Sequence, residues 1–234
     1  MTLYSPCYIW MMDEWKKLRM YKRKLLPLFL GLVLSGTVVA QEYATFSVLD
    51  RSITEFVQDN ETVVEFFSFY CPPCFAFSQR YGIDKAIRDS LPSDRKMVKY
   101  HAGFLGDLGD ELTRAWSVAM LSGLEEKVEP LLFEATMISR TLKTPEDIRA
   151  VFVKAGMPEE EYELMIASKE VTDMTEKQKR LFKEYGVTGT PSVYVNGRYH
   201  IENGAFQADS VESFRKSYVA AVMSLLNRTV IASV

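Results

Sequence analysis

The stretch Val63-Val64-Glu65-Phe66-Phe67-Ser68-Phe69-Tyr70-Cys71-Pro72-Pro73-Cys74 decides how this chain folds. Residues 63–69 are rich in aromatic and β-branched side chains without clean alternation, which predicts a central strand buried on both faces. A helix is predicted over 74–90, stopped before Pro92. A C-x-x-C between strand and helix places the first sulfur at a helix N-terminus. There the unpaired N–H groups and the macrodipole favour a thiolate over a thiol. That is an arrangement for exchanging disulfides rather than for stapling a fold.

Working outward, residues 96–102 read as a second strand, which completes a βαβ unit with a right-handed crossover. Gly103, Gly106 and Gly109 mark a boundary. Residues 107–169 then change to helical character. Leu108, Leu112, Trp116 and Met120 form one stripe, and Val128, Leu131, Leu132, Ala135 and Ile138 a second. Thr144-Pro145-Glu146-Asp147 is a cap, a first-turn proline and two acids, a helix start that Gly156 closes. Pro158 opens another short helix. These stripes read as core faces rather than a cofactor box. A charged helix follows over 172–185, then a loop through Gly189. Pro191-Ser192-Val193-Tyr194-Val195, Asn196-Gly197 and Arg198-Tyr199-His200-Ile201 read as a β-hairpin on the strongest two-residue turn signal. A final amphipathic helix is predicted over 208–226, with Val211, Phe214, Tyr218, Val222 and Leu225 on one side. The fold class is therefore α/β, a thioredoxin-like fold with a helical insertion domain. Its parts are 41–106, the insertion 107–169, and 170–234.

The N-terminus is expected to lie outside that fold. Lys22, Arg23 and Lys24 precede the apolar run 25–34, and Val38-Val39-Ala40 fits a signal-peptidase site. The run is shorter than the roughly 20 residues a membrane span needs. A secretory signal over about 20–40, cleaved after Ala40, is expected, with residues 1–19 an upstream extension and Met20 the start of translation. Of the three cysteines, Cys7 is then lost, and the mature chain keeps only the close pair. In an exported protein such a pair is functional more often than structural. With 234 residues, a net charge of -3 and 25% charged residues, no basic excess points to nucleic acid.

The segment Glu65–Cys74 resembles the active site of the DsbA family, periplasmic thiol:disulfide oxidoreductases of Gram-negative bacteria. Met97-Val98-Lys99-Tyr100-His101 is similar to the family's second strand. Asp107-Leu108-Gly109 through Ala115-Trp116-Ser117-Val118-Ala119-Met120 is similar to the start of its insertion. Gly189-Thr190-Pro191-Ser192 with Val195-Asn196-Gly197 is similar to its cis-proline loop and hairpin. The likeness covers about 43–225. The family usually has Pro-His between its cysteines and an apolar residue before the cis-proline. Here stand Pro72-Pro73, as in SrgA-type paralogues, and Thr190. Both departures border the sulfur and bear on its potential and substrate range.

The resemblance implies an exposed nucleophile at Cys71, a covered partner at Cys74, and a cis peptide at Pro191. It also places Glu65 and Lys99 at buried charged positions, where an acid could take up protons as the thiols titrate, or serve only as a strand-end ion pair. His101 reads as a structural histidine, with proton transfer or tuning of the thiol as its functional alternative, and His200 as a surface one. Tyr70 and Phe75 are candidates for substrate contact. The implied activity is a monomeric periplasmic dithiol oxidase acting on unfolded exported proteins. It would be reoxidised by a DsbB-like inner-membrane quinone oxidoreductase, with the redox-active disulfide in place of any organic cofactor or metal. An exported reductase or isomerase using the same motif, or a non-catalytic chaperone on the same fold, are the alternatives. A structural zinc site would need four ligands, and no second C-x-x-C or H-x-H partner is present.

Overall fold

The computed structural model describes residues 45–50 and 61–228. The signal segment, its cleavage site at Ala40 and Cys7 lie outside the described residues. Strands β1 (Phe46–Val48), β2 (Glu61–Phe67), β3 (Lys96–His101), β4 (Ser192–Val195) and β5 (Tyr199–Ile201) form one sheet in the order β1-β5-β4-β2-β3. β2 pairs parallel with β3, as the helical crossover between them requires, and antiparallel with β4. Its central place explains why its apolar side chains pack on both faces. Val63 packs on one face with Ile83, Ile87 and Tyr218, while Val64 and Phe66 pack on the other with Tyr100, Leu181 and Tyr194.

β2 ends at Phe67, two residues before the predicted end, because the chain turns at Ser68, whose carbonyl accepts the Cys71 N–H at 3.1 Å. The predicted helix 74–90 is also divided. α1 (Pro72–Phe75) runs into a π-helical turn (Ala76–Arg80), and α2 (Ile83–Ser90) starts afresh after Gly82. Gly82 has φ +59°, a left-handed geometry that no helix interior can continue.

The helical segment holds α3 (Gly109–Ser122), α4 (Glu125–Phe133), a π-helical turn (Glu134–Ile138), α5 (Pro145–Lys154) and α6 (Glu159–Ile166). Leu112 and Trp116 of the first stripe are buried, as are Val128, Leu132 and Ala135 of the second. Ile138 is not: the wider π turn slips the 3.6-residue period, and the side chain is 52% exposed. Thr144 and Asp147 form a reciprocal capping box at the start of α5. α7 (Lys169–Glu184) begins three residues before the predicted 172, since Ser168 caps it by accepting the Val171 N–H. α8 (Val211–Leu226) starts behind Ser210 rather than at 208. Tyr218, Val222 and Leu225 are in the core, but Val211, in the first turn beyond the sheet, is exposed. At the hairpin, Asn196 and Gly197 have φ of 52° and 61°, the two positive values that a type I′ turn demands.

The helical segment packs directly on the strand that leads to the motif. Phe67, Phe69, Cys71 and Cys74 share one buried cluster with Leu112, Trp116 and Phe133. The Trp116 indole N–H donates to the Lys99 carbonyl at 2.8 Å.

Candidate active site

Cys71 is the N-cap of α1, with φ −101° and ψ 107°. Pro72 and Pro73 occupy the first two helical positions, where a missing N–H costs nothing and the fixed φ suits the helix. The first free donor is therefore the Cys74 N–H, and it points at Cys71 Sγ at 3.1 Å. Cys71 and Cys74 are joined as a disulfide with their Cα atoms 5.2 Å apart. Opposite them stands the Thr190–Pro191 peptide, which is cis. The Thr190 carbonyl oxygen lies 3.2 Å from Cys71 Sγ. That loop is held from behind. Asn203 Nδ2 donates to the Pro191 carbonyl at 2.6 Å, and the Tyr218 hydroxyl donates to Asn203 Oδ1 at 2.8 Å.

The expected exposure of Cys71 is not found. Cys71 is 3% exposed and Cys74 0%. The sequence could not show this, because the covering residue Thr190 lies 119 positions away. Pro72 and Pro73 are exposed, and Tyr70 and Phe75 half-buried. Phe75 rests on Phe133, ring centres 5.8 Å apart, and the Arg80 guanidinium lies over the Phe75 ring at 5.1 Å. The Tyr70 ring lies against Gly106, where a Cβ would collide with it. Burial raises the Tyr70 phenol pKa.

His101 ends β3 beneath the motif and is 1% exposed. Its Nε2 accepts the Phe69 N–H at 3.2 Å, so its proton sits on Nδ1 and is donated to Thr113 Oγ1 at 2.9 Å. The Thr113 hydroxyl in turn donates to the Gly109 carbonyl. Burial pushes the imidazole down to about 3, so it stays neutral. It also stacks on Phe69, ring centres 5.2 Å apart. This histidine orients the turn that carries Cys71. His200, read as a surface residue, is partly covered by stacking on Tyr194 at 4.7 Å.

Glu65 and Lys99 are register partners on β2 and β3, 0% and 6% exposed. The Lys99 ammonium donates to Asp84 Oδ2 and to Glu129 Oε1, each at 2.7 Å, but stands 3.5 Å from Glu65. Neither Glu65 oxygen accepts a hydrogen bond among the described residues. Burial, with added repulsion from Asp84 and Glu129, outweighs the attraction of Lys99 and pushes the Glu65 carboxyl up to about 8. Burial alone would raise Asp84 too, but Lys99 and Arg88 hold it below the usual carboxylate range. The three carboxyls keep the Lys99 ammonium well above its ordinary value despite burial. Sequence reading missed Asp84, Glu129 and Ser78, whose hydroxyl donates to Glu129 at 2.5 Å. A lysine in the middle of a strand was the available signal, since a buried cation demands partners.

A helix-capping disulfide facing a cis-proline loop, on this sheet and beside this helical segment, places the chain in the class of thioredoxin-like thiol:disulfide oxidoreductases. The profile of the DSBA-like thioredoxin domain matches residues 62–219, and the chain belongs to that family. It is 39% identical over 209 residues to the thiol:disulfide interchange protein DsbA of Dickeya dadantii, covering 88% of this chain and 99% of the relative. Salmonella enterica serovar Typhimurium SrgA shares its fold with a TM-score of 0.74 and 51% identity, over 78% of this chain and 99% of SrgA. A cysteine-to-serine variant of Proteus mirabilis DsbA, in complex with the non-covalently bound peptide PWATCDS, aligns with a TM-score of 0.75 and 34% identity, over 79% of this chain and 96% of that one.

Proposed function

We propose that this protein is a periplasmic dithiol oxidase that introduces disulfides into unfolded exported proteins. The observation that carries the reading is the Cys71–Cys74 disulfide at the start of α1, with the Cys74 N–H aimed at Cys71 Sγ. A substrate thiolate attacks Cys71, forming a mixed disulfide and expelling Cys74 as a thiolate. A second substrate thiolate then attacks the substrate sulfur of that mixed disulfide and releases Cys71. The substrate loses two electrons and two protons, and the enzyme is left as a dithiol. The leaving Cys71 thiolate is stabilised by the Cys74 N–H and the helix N-terminus, which favours the reduced enzyme and makes the disulfide oxidising. A DsbB-like quinone oxidoreductase in the inner membrane would restore it, with no organic cofactor or metal in the exchange.

Thr190, beside Pro191, offers its backbone to an extended substrate strand, and Tyr70 and Phe75 flank the approach. The cysteine-containing peptide on the Proteus mirabilis relative supports this kind of substrate. Pro73 in place of the family's histidine removes a donor near the sulfur, so the potential should lie below the most oxidising members. The test is the equilibrium reduction potential of residues 41–234 in glutathione buffers, with Cys71→Ser as the control. A value of about −120 mV (that of DsbA) to about −180 mV supports an oxidase. A value near thioredoxin's, about −270 mV, would make the protein a reductase.

A further inference from the structure

Two walls meet at the active-site sulfur, and one side chain stands behind both. The Thr190–Pro191 loop faces Cys71 from one side, with the Thr190 carbonyl 3.2 Å from Sγ. On the other side, the helix that carries the disulfide runs into its π-helical turn, where Phe77 is buried. Behind the loop, Asn203 donates to the Pro191 carbonyl and accepts from the Tyr218 hydroxyl of α8. The direction of this chain is fixed. A carbonyl can only accept, so the Asn203 amide turns its nitrogen to Pro191 and its oxygen to Tyr218, which must donate. Burial holds the Tyr218 phenol well above its ordinary pKa, so that donor is kept. Behind the helix, the same Tyr218 ring meets Phe77 edge-on, ring centres 5.2 Å apart. Tyr218 is itself 0% exposed and is packed by Phe206 and Phe214 as well. The bond from Ser192 Oγ to the Gly189 carbonyl, at 2.8 Å, shapes the loop from within. The Asn203 bond ties the loop to the chain beyond β5 and, through Tyr218, to the core under the active-site helix.

We propose that Asn203 and Tyr218 are positioning residues that set the gap between the active-site helix and the Thr190–Pro191 loop, and so decide how well an extended chain, as against a small thiol, is received at Cys71. An extended substrate has to satisfy two places at once: its thiolate meets Cys71 Sγ while its backbone pairs with that of Thr190. The first place is set by α1 and the second by the loop, so their spacing matters only to a ligand that spans both. A small dithiol needs the sulfur alone. Without the Asn203 amide, the Pro191 carbonyl loses its partner and the loop is free to shift against the helix. A misplacement of about 1 Å is enough to slow a positioned reaction strongly. Removing the Tyr218 hydroxyl alone leaves its ring against Phe77 but lets the Asn203 amide turn, so its effect travels through Asn203. This inference rests on the reading above that Thr190 offers its backbone to substrate.

Single-turnover oxidation of two dithiols by the oxidised full chain tests it: an unstructured peptide carrying two cysteines, and dithiothreitol. Each dithiol loses two electrons and two protons to become a disulfide while Cys71–Cys74 becomes a dithiol, and the remaining thiols are counted after an acid quench. Asn203→Ala should lower the second-order rate with the peptide by about fivefold or more, the scale of one net hydrogen bond, and the rate with dithiothreitol by less than about twofold. The loss should lie in the half-saturating peptide concentration rather than in the limiting rate, and the reduction potential should not move. Tyr218→Phe should lower the peptide rate about two- to threefold, and the double variant should fall no further than Asn203→Ala. Equal losses with both dithiols, or no loss with the peptide, overturn the proposal, and additive losses in the double variant remove Tyr218 from it. A peptide N-methylated beside its first cysteine separates this inference from the reading it rests on. The wild type should disfavour that peptide, and Asn203→Ala should be nearly indifferent to the methyl group. Discrimination as strong in Asn203→Ala as in the wild type overturns this inference alone. Indifference in the wild type overturns the pairing at Thr190 and this inference with it. A thioredoxin-like potential with the discrimination intact would refute the oxidase reading alone.

Discussion

Replacing Glu65 by glutamine should change how stability depends on pH more than it changes stability itself. The carboxyl is fully buried and its folded pKa is raised from 4.5 to about 8. Between those values the native state keeps a proton that the unfolded state has released, so Glu65 makes stability fall as pH rises. At about 1.4 kcal/mol per unit, the interval corresponds to a few kcal/mol, roughly 3 of them between about pH 5 and about pH 8. The substituted amide carries no charge, and its burial cost is the same at every pH. Asp84, whose carboxyl is held low, changes protonation only below this window, and His101 contributes equally to both proteins. The assay is urea unfolding of oxidised wild type and Glu65→Gln at a series of pH values. The variant should gain on the wild type steadily from about pH 5 to about pH 8. A parallel pair of curves would refute the reasoning, because it would mean that Glu65 is ionised in the fold across the whole range.

Cys74→Ser, reduced and mixed with a disulfide substrate, should accumulate a mixed disulfide on Cys71 that non-reducing electrophoresis resolves; Cys71→Ser should form none. Pro73→His restores a donor beside the sulfur and should lower the Cys71 thiolate pKa by a unit or more, raising the potential by about 30 mV per unit in glutathione buffers. His101 is held neutral by burial, so it costs stability as pH falls from about 6.5 toward about 3. His101→Phe should therefore flatten the acid limb of the stability curve, while losing about 1–3 kcal/mol at neutral pH for the orphaned Phe69 N–H. Gly106→Ala meets the Tyr70 ring and a φ of +70° together, and should destabilise by about 1–3 kcal/mol with a matching fall in the thermal midpoint.

The elements with strong local chemistry were legible in the sequence. The apolar run into C-x-x-C, the Thr144 capping box and the Asn196-Gly197 turn each determine their own conformation within a few residues. Details fixed by distant residues were not legible. Asp84 follows Ile83 and precedes Lys85, and Glu129 follows Glu125, Glu126 and Lys127; both look like solvated helix charges. Only the folded chain carries them to Lys99. The π-helical slip that turns Ile138 outward leaves no compositional mark. The cover over Cys71 depends on a loop from the far end of the chain.

That cover has a consequence for timing. A cysteine 3% exposed, with the Thr190 carbonyl against its sulfur, is met most readily by a thiol on a slender, pliable stretch of chain. A cysteine already fixed in a folded surface brings too much around it to enter. An enzyme attacked at Cys71 would thus act early in its client's life, while the chain is still loose. Each bond it makes would then be a constraint that the client folds around, rather than a seal added to a finished shape.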